Sequence, residues 1–207
     1  RRVEAAIGTI ETSKLEKVVL ARAVDIEFPE AIDPRLVAAR LIDLSANRDG
    51  FIADLSPAGR PGAMLVGSSP EVLVKRQGST VSAFPLAGSS PRRASAAEDH
   101  LAGQDLLHSS KDLHEHAFVV DHLRRALTPL CERLDIPDVP QLISTNEMWH
   151  LGTPISGTLK DKDLTALELA LAVHPTPAIC GTPAEAAQAL IETAETDRGF
   201  YLSLIHI

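Results

Sequence analysis

Apolar residues recur at helical spacing at Val119, Val120, Leu123, Leu127, Leu130 and Leu134. The spacing predicts one long helix over 107–134, entered through Ser109 and Ser110 as an N-cap pair, with one face buried. Glu115 stands one turn before Val119 and on the same side. A bare buried carboxylate costs several kcal/mol, so Glu115 is expected to be paired, protonated or bound to a metal. The alternative is a first-turn carboxylate, half in water, that favours the helix dipole.

The rest of the chain alternates short elements. Val3, Ala6, Ile7 and Ile10 fit a short amphipathic helix, and the apolar run around Val18–Leu20 predicts a strand over 15–25. Lys17 and Arg22 are an odd number of residues apart, so they fall on opposite faces of that strand: one toward solvent, the other toward a polar pocket. Pro34 opens a helix at its first turn. Short strands follow over 51–55, 63–67, 71–76 and 80–84, with a turn at Gln77–Gly78, which points to antiparallel pairing. Residues 85–93, PLAGSSPRR, read as a loop. Gly88 and the serines after it offer N–H and hydroxyl groups to an anion, or form a plain surface turn. Further strands are expected at 141–144 and at 148–159, the latter bent at Gly152 and Gly157. Trp149 is expected to pack, and His150 to face the other way, as a structural histidine or a site residue. Asp163 is the expected cap of the next helix. Residues 174–183, HPTPAICGTP, are too rich in Pro and Gly for regular structure and could wall a substrate, and Thr182–Pro183 open the last helix.

Composition narrows the picture. With 207 residues and 44% apolar content, the chain can bury a core and is not disordered. A formal charge of −8 argues against nucleic acid or an anionic membrane as partner. No apolar run is long enough to cross a bilayer, and no signal peptide opens the chain. Cys131 and Cys180 lack metal-ligand spacing and are expected as buried free thiols in a reducing cytoplasm. Arg1 at one end and the apolar LSLIHI at the other read as cut ends, so the chain is expected to be a fragment.

Several segments, taken together, resemble the chorismate-utilising enzymes and, within them, the isochorismate synthases. They are KVVLAR at 17–22, GSSPEVL at 67–73, PLAGS at 85–89, SSKDLHEH at 109–116, WHLGTPISG at 149–157 and HPTPAICG at 174–181. Their order and spacing are similar to the family's across residues 1–201. The resemblance implies an α+β fold: two large antiparallel β-sheets packed face to face with helices outside, incomplete in a fragment. Residues 1–201 would then be part of a chorismate-binding catalytic domain, with 202–207 a tail foreign to the pattern. Incomplete sheets predict exposed strand edges and apolar faces.

The resemblance also implies a reaction. Chorismate carries a hydroxyl at C4 and isochorismate carries it at C2, so water attacks C2 while the C4 hydroxyl departs. That needs a base for the water and an acid for the leaving group. The family's lysine base falls on Lys17 and its glutamic acid on Glu71, an acid that needs a raised pKa for the task. Of the two glutamates that hold Mg²⁺ in the family, one falls on Glu115, and carboxylate oxygen suits that ion. Gly88 and Ser89 would flank the substrate carboxylate, His150 would lie near the ring, and Ala178 and Ile179 would line the site. Lysine at position 17 and the TPAICG run favour water over ammonia as nucleophile, and the HEH segment resembles the siderophore branch, which supplies 2,3-dihydroxybenzoate. The expected partner is chorismate, with neither nucleic acid nor membrane, and the intact enzyme is expected to be a cytoplasmic monomer. Two rivals stay open: a salicylate synthase of the same fold, and an inactive fragment without the family's second metal glutamate and substrate arginine.

Overall fold

Each main ladder of this chain is closed by a strand distant in sequence. A computed structural model describes residues 1–45, 47–196 and 198–199. The expected tail at 202–207 lies outside these residues, as does most of the DRGFY-like stretch. The helices are α1 (Arg2–Thr12), α2 (Pro34–Leu44), α3 (Ala96–His108), α4 (Ser110–Leu127), α5 (Ala166–Val173) and α6 (Ala184–Ala194). The strands are β1 (Lys17–Val18), β2 (Phe51–Asp54), β3 (Met64–Gly67), β4 (Lys75–Gln77), β5 (Thr80–Ala83), β6 (Leu86–Pro91), β7 (Cys131–Asp135), β8 (Gln141–Ser144), β9 (Met148–Gly152), β10 (Ile155–Leu159) and β11 (Gly181–Thr182).

Among the described residues four antiparallel sheets form, in the orders β4-β5-β10-β7, β6-β9-β8, β2-β3 and β1-β11. The α+β expectation holds. The main core joins α4 (Val119, Leu123, Leu127), α5 (Leu169, Val173) and the inner faces of β5 and β10 (Val81, Ile155, Leu159). A second cluster gathers Leu15, Cys180, Ala187 and Ile191, and so ties β1 to β11 and α6. Cys131 and Cys180 are buried free thiols, as expected, and burial pushes both thiol pKa values up. Phe51, Ile52, Val24, Ile26 and Phe28 are exposed, in keeping with uncovered apolar faces.

Several sequence expectations need correction. The long helix expected over 107–134 is three elements, a helix, a one-turn 3-10 helix and a strand, with a break before them at Ser109. Ser109 sits in extended backbone, ends α3 and caps α4, its Oγ accepting from the Asp112 N–H. At the other end Pro129 enters a one-turn 3-10 helix (Thr128–Leu130), and Cys131–Asp135 becomes a strand against β10. Leu130 and Leu134 kept the helical period by coincidence. The 85–93 stretch is not a loop. It is mostly β6, paired with β9 across a register shift between Leu86 and Ser89. The run 148–159 is two strands in two different sheets. The strand expected over 15–25 narrows to Lys17–Val18, because the chain opposite it offers only Gly181 and Thr182 as ladder partners. Thr165, not Asp163, caps α5, through a capping box with Glu168. Asp33 caps α2, with Pro34 at its first turn as expected.

One polar cluster anchors the three-stranded sheet. The Arg92 guanidinium makes bidentate hydrogen bonds to Asp99 at 2.7–3.0 Å and lies 4.5 Å from the Trp149 ring centre. Arg93 N–H and Trp149 Nε1–H also donate to Asp99 Oδ1, at 2.8 and 3.0 Å. These donors, Arg92 first, hold the Asp99 carboxyl well below the usual carboxylate range. A depressed carboxyl contributes stability above its unfolded pKa and loses it as pH falls through the folded one. Asp99→Ala is therefore expected to lower the thermal midpoint at pH 7 by roughly 5 °C or more, with the gap to the parent narrowing in strong acid, as read by circular dichroism melts.

Candidate active site

β1 and the first turns of α4 bring Lys17 and Glu115 together. Lys17 Nζ lies 3.0 Å from Glu115 Oε1, and the two side chains are 12% and 33% exposed. Glu115 is thus paired and half-buried. The structure meets the requirement for a partner without sealing the carboxylate from water. Lys111, one turn earlier and exposed, approaches Glu115 Oε2 at 3.5 Å and Asp112 Oδ1 at 3.2 Å. Arg22 lies beyond the two-residue strand and is exposed, whereas Lys17 is largely buried, so strand alternation does not decide between them.

The stretch with the PLAGS motif lies against the same helix. Gly88 has φ +82, and a Cβ there would come within 3.1 Å of Asp112 Cβ and 3.2 Å of its carbonyl oxygen. Glycine is required here on both counts: left-handed backbone and close approach to α4. Ser89 pairs with His150 across the β6–β9 ladder, and Ser89 Oγ lies 2.7 Å from His150 Nδ1. Burial lowers the His150 pKa, which keeps the ring neutral near pH 7. Glu71 joins the group through backbone. Its Oε1 accepts from the Leu86 N–H at 3.2 Å, two residues before Gly88. Burial pushes the Glu71 carboxyl up, and the Leu86 N–H pulls it part of the way back.

The 174–183 segment runs beside the Lys17 strand. Val19 N–H donates to Cys180 O at 2.8 Å, which lays this loop alongside the Lys17 strand. Ile179 N–H bonds back to Thr176 O at 3.1 Å. Ala178 packs on the main core, apart from the polar groups. The structure thus pairs Lys17 with Glu115 and Ser89 with His150, sets Gly88 against α4 and links Glu71 by the backbone, while Ala178 packs on the main core and Ile179 lies in the loop beside the Lys17 strand.

Two site features were not anticipated from the sequence. His116 is buried, with Nδ1 3.0 Å from Ala87 O and Nε2 2.7 Å from Thr153 Oγ1. With Nδ1–H donating, Nε2 accepts from the threonine hydroxyl, and the ring fastens α4 to β6 immediately before Gly88. A histidine next to Glu115 was visible, but its distant carbonyl partner was not. The second feature is Asp112, whose Oδ2 accepts from Ser109 Oγ–H and which lies one turn from Glu115 on the same side of α4.

Glu115 and Asp112 are hard oxygen donors of the kind Mg²⁺ takes. Lys17 and Lys111 already pair with these carboxylates, so a cation at Glu115 would have to displace a lysine from it. Among the described residues no group of three or more His, Cys, Asp or Glu side chains is placed to hold a metal. Glu115 fits as one ligand of a sphere completed by other donors. No helix among the described residues is long and apolar enough to cross a membrane.

The family comparison covers almost the whole chain. The chorismate binding enzyme model matches residues 1–205. The isochorismate synthase DhbC of Bacillus subtilis is 43% identical over 206 residues, 98% of this chain and 52% of that protein. Isochorismate synthase EntC of Escherichia coli K12 is 37% identical, over 98% of this chain and 51% of its own length. The crystal structure of DhbC from Bacillus anthracis superposes with a TM-score of 0.87 at 39% identity, covering 95% of this chain and 52% of that one. The chain spans about half the length of the curated relatives it matches. With matched motifs running from Lys17 through the 174–181 loop and a family model covering residues 1–205, the chain belongs to the chorismate binding enzymes.

Proposed function

We propose that the gene product carrying this chain is an isochorismate synthase, converting chorismate to isochorismate, and that residues 1–201 are part of its catalytic domain. The observation that carries this is the Lys17–Glu115 pair, set beside Gly88 and Ser89 of β6 in a chain 43% identical to an isochorismate synthase. Lys17 is the base that takes a proton from the water attacking C2. Glu71 is the acid that gives a proton to the C4 hydroxyl as it leaves, and its raised pKa suits a group that must arrive protonated. Gly88 and Ser89 receive the ring carboxylate, with the Ser89 hydroxyl oriented by His150. Ala178 and Ile179 wall the ring and exclude water. Bound at Glu115, Mg²⁺ would supply positive charge to that same carboxylate.

Similarity to DhbC of Bacillus anthracis, a 2,3-dihydroxybenzoate-specific isochorismate synthase by its description, supports the siderophore branch, in which the product is a precursor of 2,3-dihydroxybenzoate. The test is a chorismate assay of the natural gene product with and without Mg²⁺, the product identified by chromatography. Mg²⁺-dependent isochorismate is the expected result. Salicylate with pyruvate, or no turnover, overturns the reading.

A further inference from the structure

The last turn of α6 leads into a buried ion pair that no catalytic role accounts for. Glu195 and Arg198 side chains are only 4% and 6% exposed, and Nε and Nη2 of the arginine lie 2.6 and 2.7 Å from the two carboxylate oxygens. The carboxyl pKa is lowered: burial alone would raise it, but the Arg198 and Ala21 hydrogen bonds outweigh that. Together the two side chains reach the main chain of two other segments. Glu195 Oε1 accepts from the Ala21 N–H at 2.6 Å. Arg198 donates from Nη2 to Val19 O at 2.6 Å and from Nη1 to Ile179 O at 3.0 Å.

Those three backbone groups lie where the short β1–β11 ladder gives out. The ladder pairs only Lys17 with Thr182 and Val18 with Gly181, and the Val19 N–H to Cys180 O bond extends it by one step. Beyond that step the ion pair supplies the partners that a longer strand would have supplied. Gly181 shows how close the two segments run: a Cβ there would come within 2.1 Å of Lys17 O.

We infer that Glu195 and Arg198 are a positioning pair, which fixes the Lys17 strand against the 174–181 loop and so holds Lys17 Nζ over Glu115 and Ile179 at the substrate wall. The inference rests on the proposed function, because the position of Lys17 matters to rate only if Lys17 is the base. The planar fork of arginine meets one carboxylate and two carbonyls at once, and a lysine ammonium cannot reproduce that arrangement. A displacement of about 1 Å at a reacting group can cost about 10²-fold in rate.

The test compares Arg198→Lys and Glu195→Gln with the parent in the natural gene product, by steady-state kinetics, thermal melting and amine labelling read by mass spectrometry. Lys111, 79% exposed, is the internal reference for Lys17, 12% exposed. In the variants Lys17 labelling relative to Lys111 is expected to rise several-fold, and kcat to fall about tenfold or more, with KM for chorismate within about threefold. Parental Lys17 labelling in a folded variant overturns the inference, whatever the rate. Loss of folding in both variants also overturns it, making the pair a stability element. Full turnover in Lys17→Ala would sink the proposed function instead, while the labelling would still report on the pair.

Discussion

Lys17→Ala is expected to lower isochorismate formation at least about 10²-fold while the protein stays folded. On the proposed mechanism the loss falls on kcat, because a base acting on water in the transition state contributes little to ground-state binding of chorismate. Folding should survive because Glu115 keeps Lys111 at 3.5 Å and is exposed enough to be solvated once Lys17 is gone. Removing one partner of an ion pair is severe only when it strands a charge away from water. Lys17→Arg separates the base from a mere cation. A guanidinium keeps the charge and the pairing with Glu115 but does not give up its proton near neutral pH. It should therefore be stable and nearly as inactive as the alanine variant. Turnover by Lys17→Arg within about tenfold of the parent would show that the residue acts only through its charge.

The site was legible in the sequence where chemistry is carried by residue type in a fixed order. Lys17, Gly88, Ser89, Glu115 and His150 lie on four elements, β1, β6, α4 and β9; motif order singled them out, and the structure pairs Lys17 with Glu115 and Ser89 with His150. What stayed hidden was mostly pairing. PLAGSSPRR reads as a loop because Gly, Pro and Ser make up five of its nine residues, yet β9 lies alongside and offsets the unfavourable composition with ladder hydrogen bonds. The helix over 107–134 ran too far because Leu130 and Leu134 keep the period, and Pro129 carried the better signal. Helix α3 was missed altogether. Its buried face holds Asp99, Gly103 and Leu106, so its amphipathic signal is weak, and Asp99 is buried only because Arg92, Arg93 and Trp149 meet it. The Glu195–Arg198 pair lies at the same limit: its partners are backbone groups at Val19, Ala21 and Ile179, which no side-chain pattern marks.

Glu71→Gln tests the acid, and it should separate activity from stability in opposite directions. Glutamine keeps the side-chain shape and leaves a carbonyl oxygen to accept from the Leu86 N–H, so the local backbone should not move. It has no acidic proton to give the departing hydroxyl, and turnover is expected to fall at least about 10²-fold. In the parent, burial raises the folded pKa of Glu71 above its unfolded value. Such a group contributes its stability below the unfolded pKa and loses it as pH rises through the folded pKa, because the fold then has to carry a poorly solvated charge. Glutamine has no charge to bury. The variant should therefore melt higher than the parent at pH 8, and the difference should close as pH falls well below the unfolded carboxyl pKa, where the parent carboxyl is protonated in both states. The parent kcat should also fall on the alkaline side as Glu71 ionises, and that limb should be absent from whatever residual rate the variant shows. A glutamine variant that turns over normally would remove Glu71 from the reaction. One that is inactive but no more stable at pH 8 would mean that water reaches the carboxylate in the folded protein and that burial does not set its protonation.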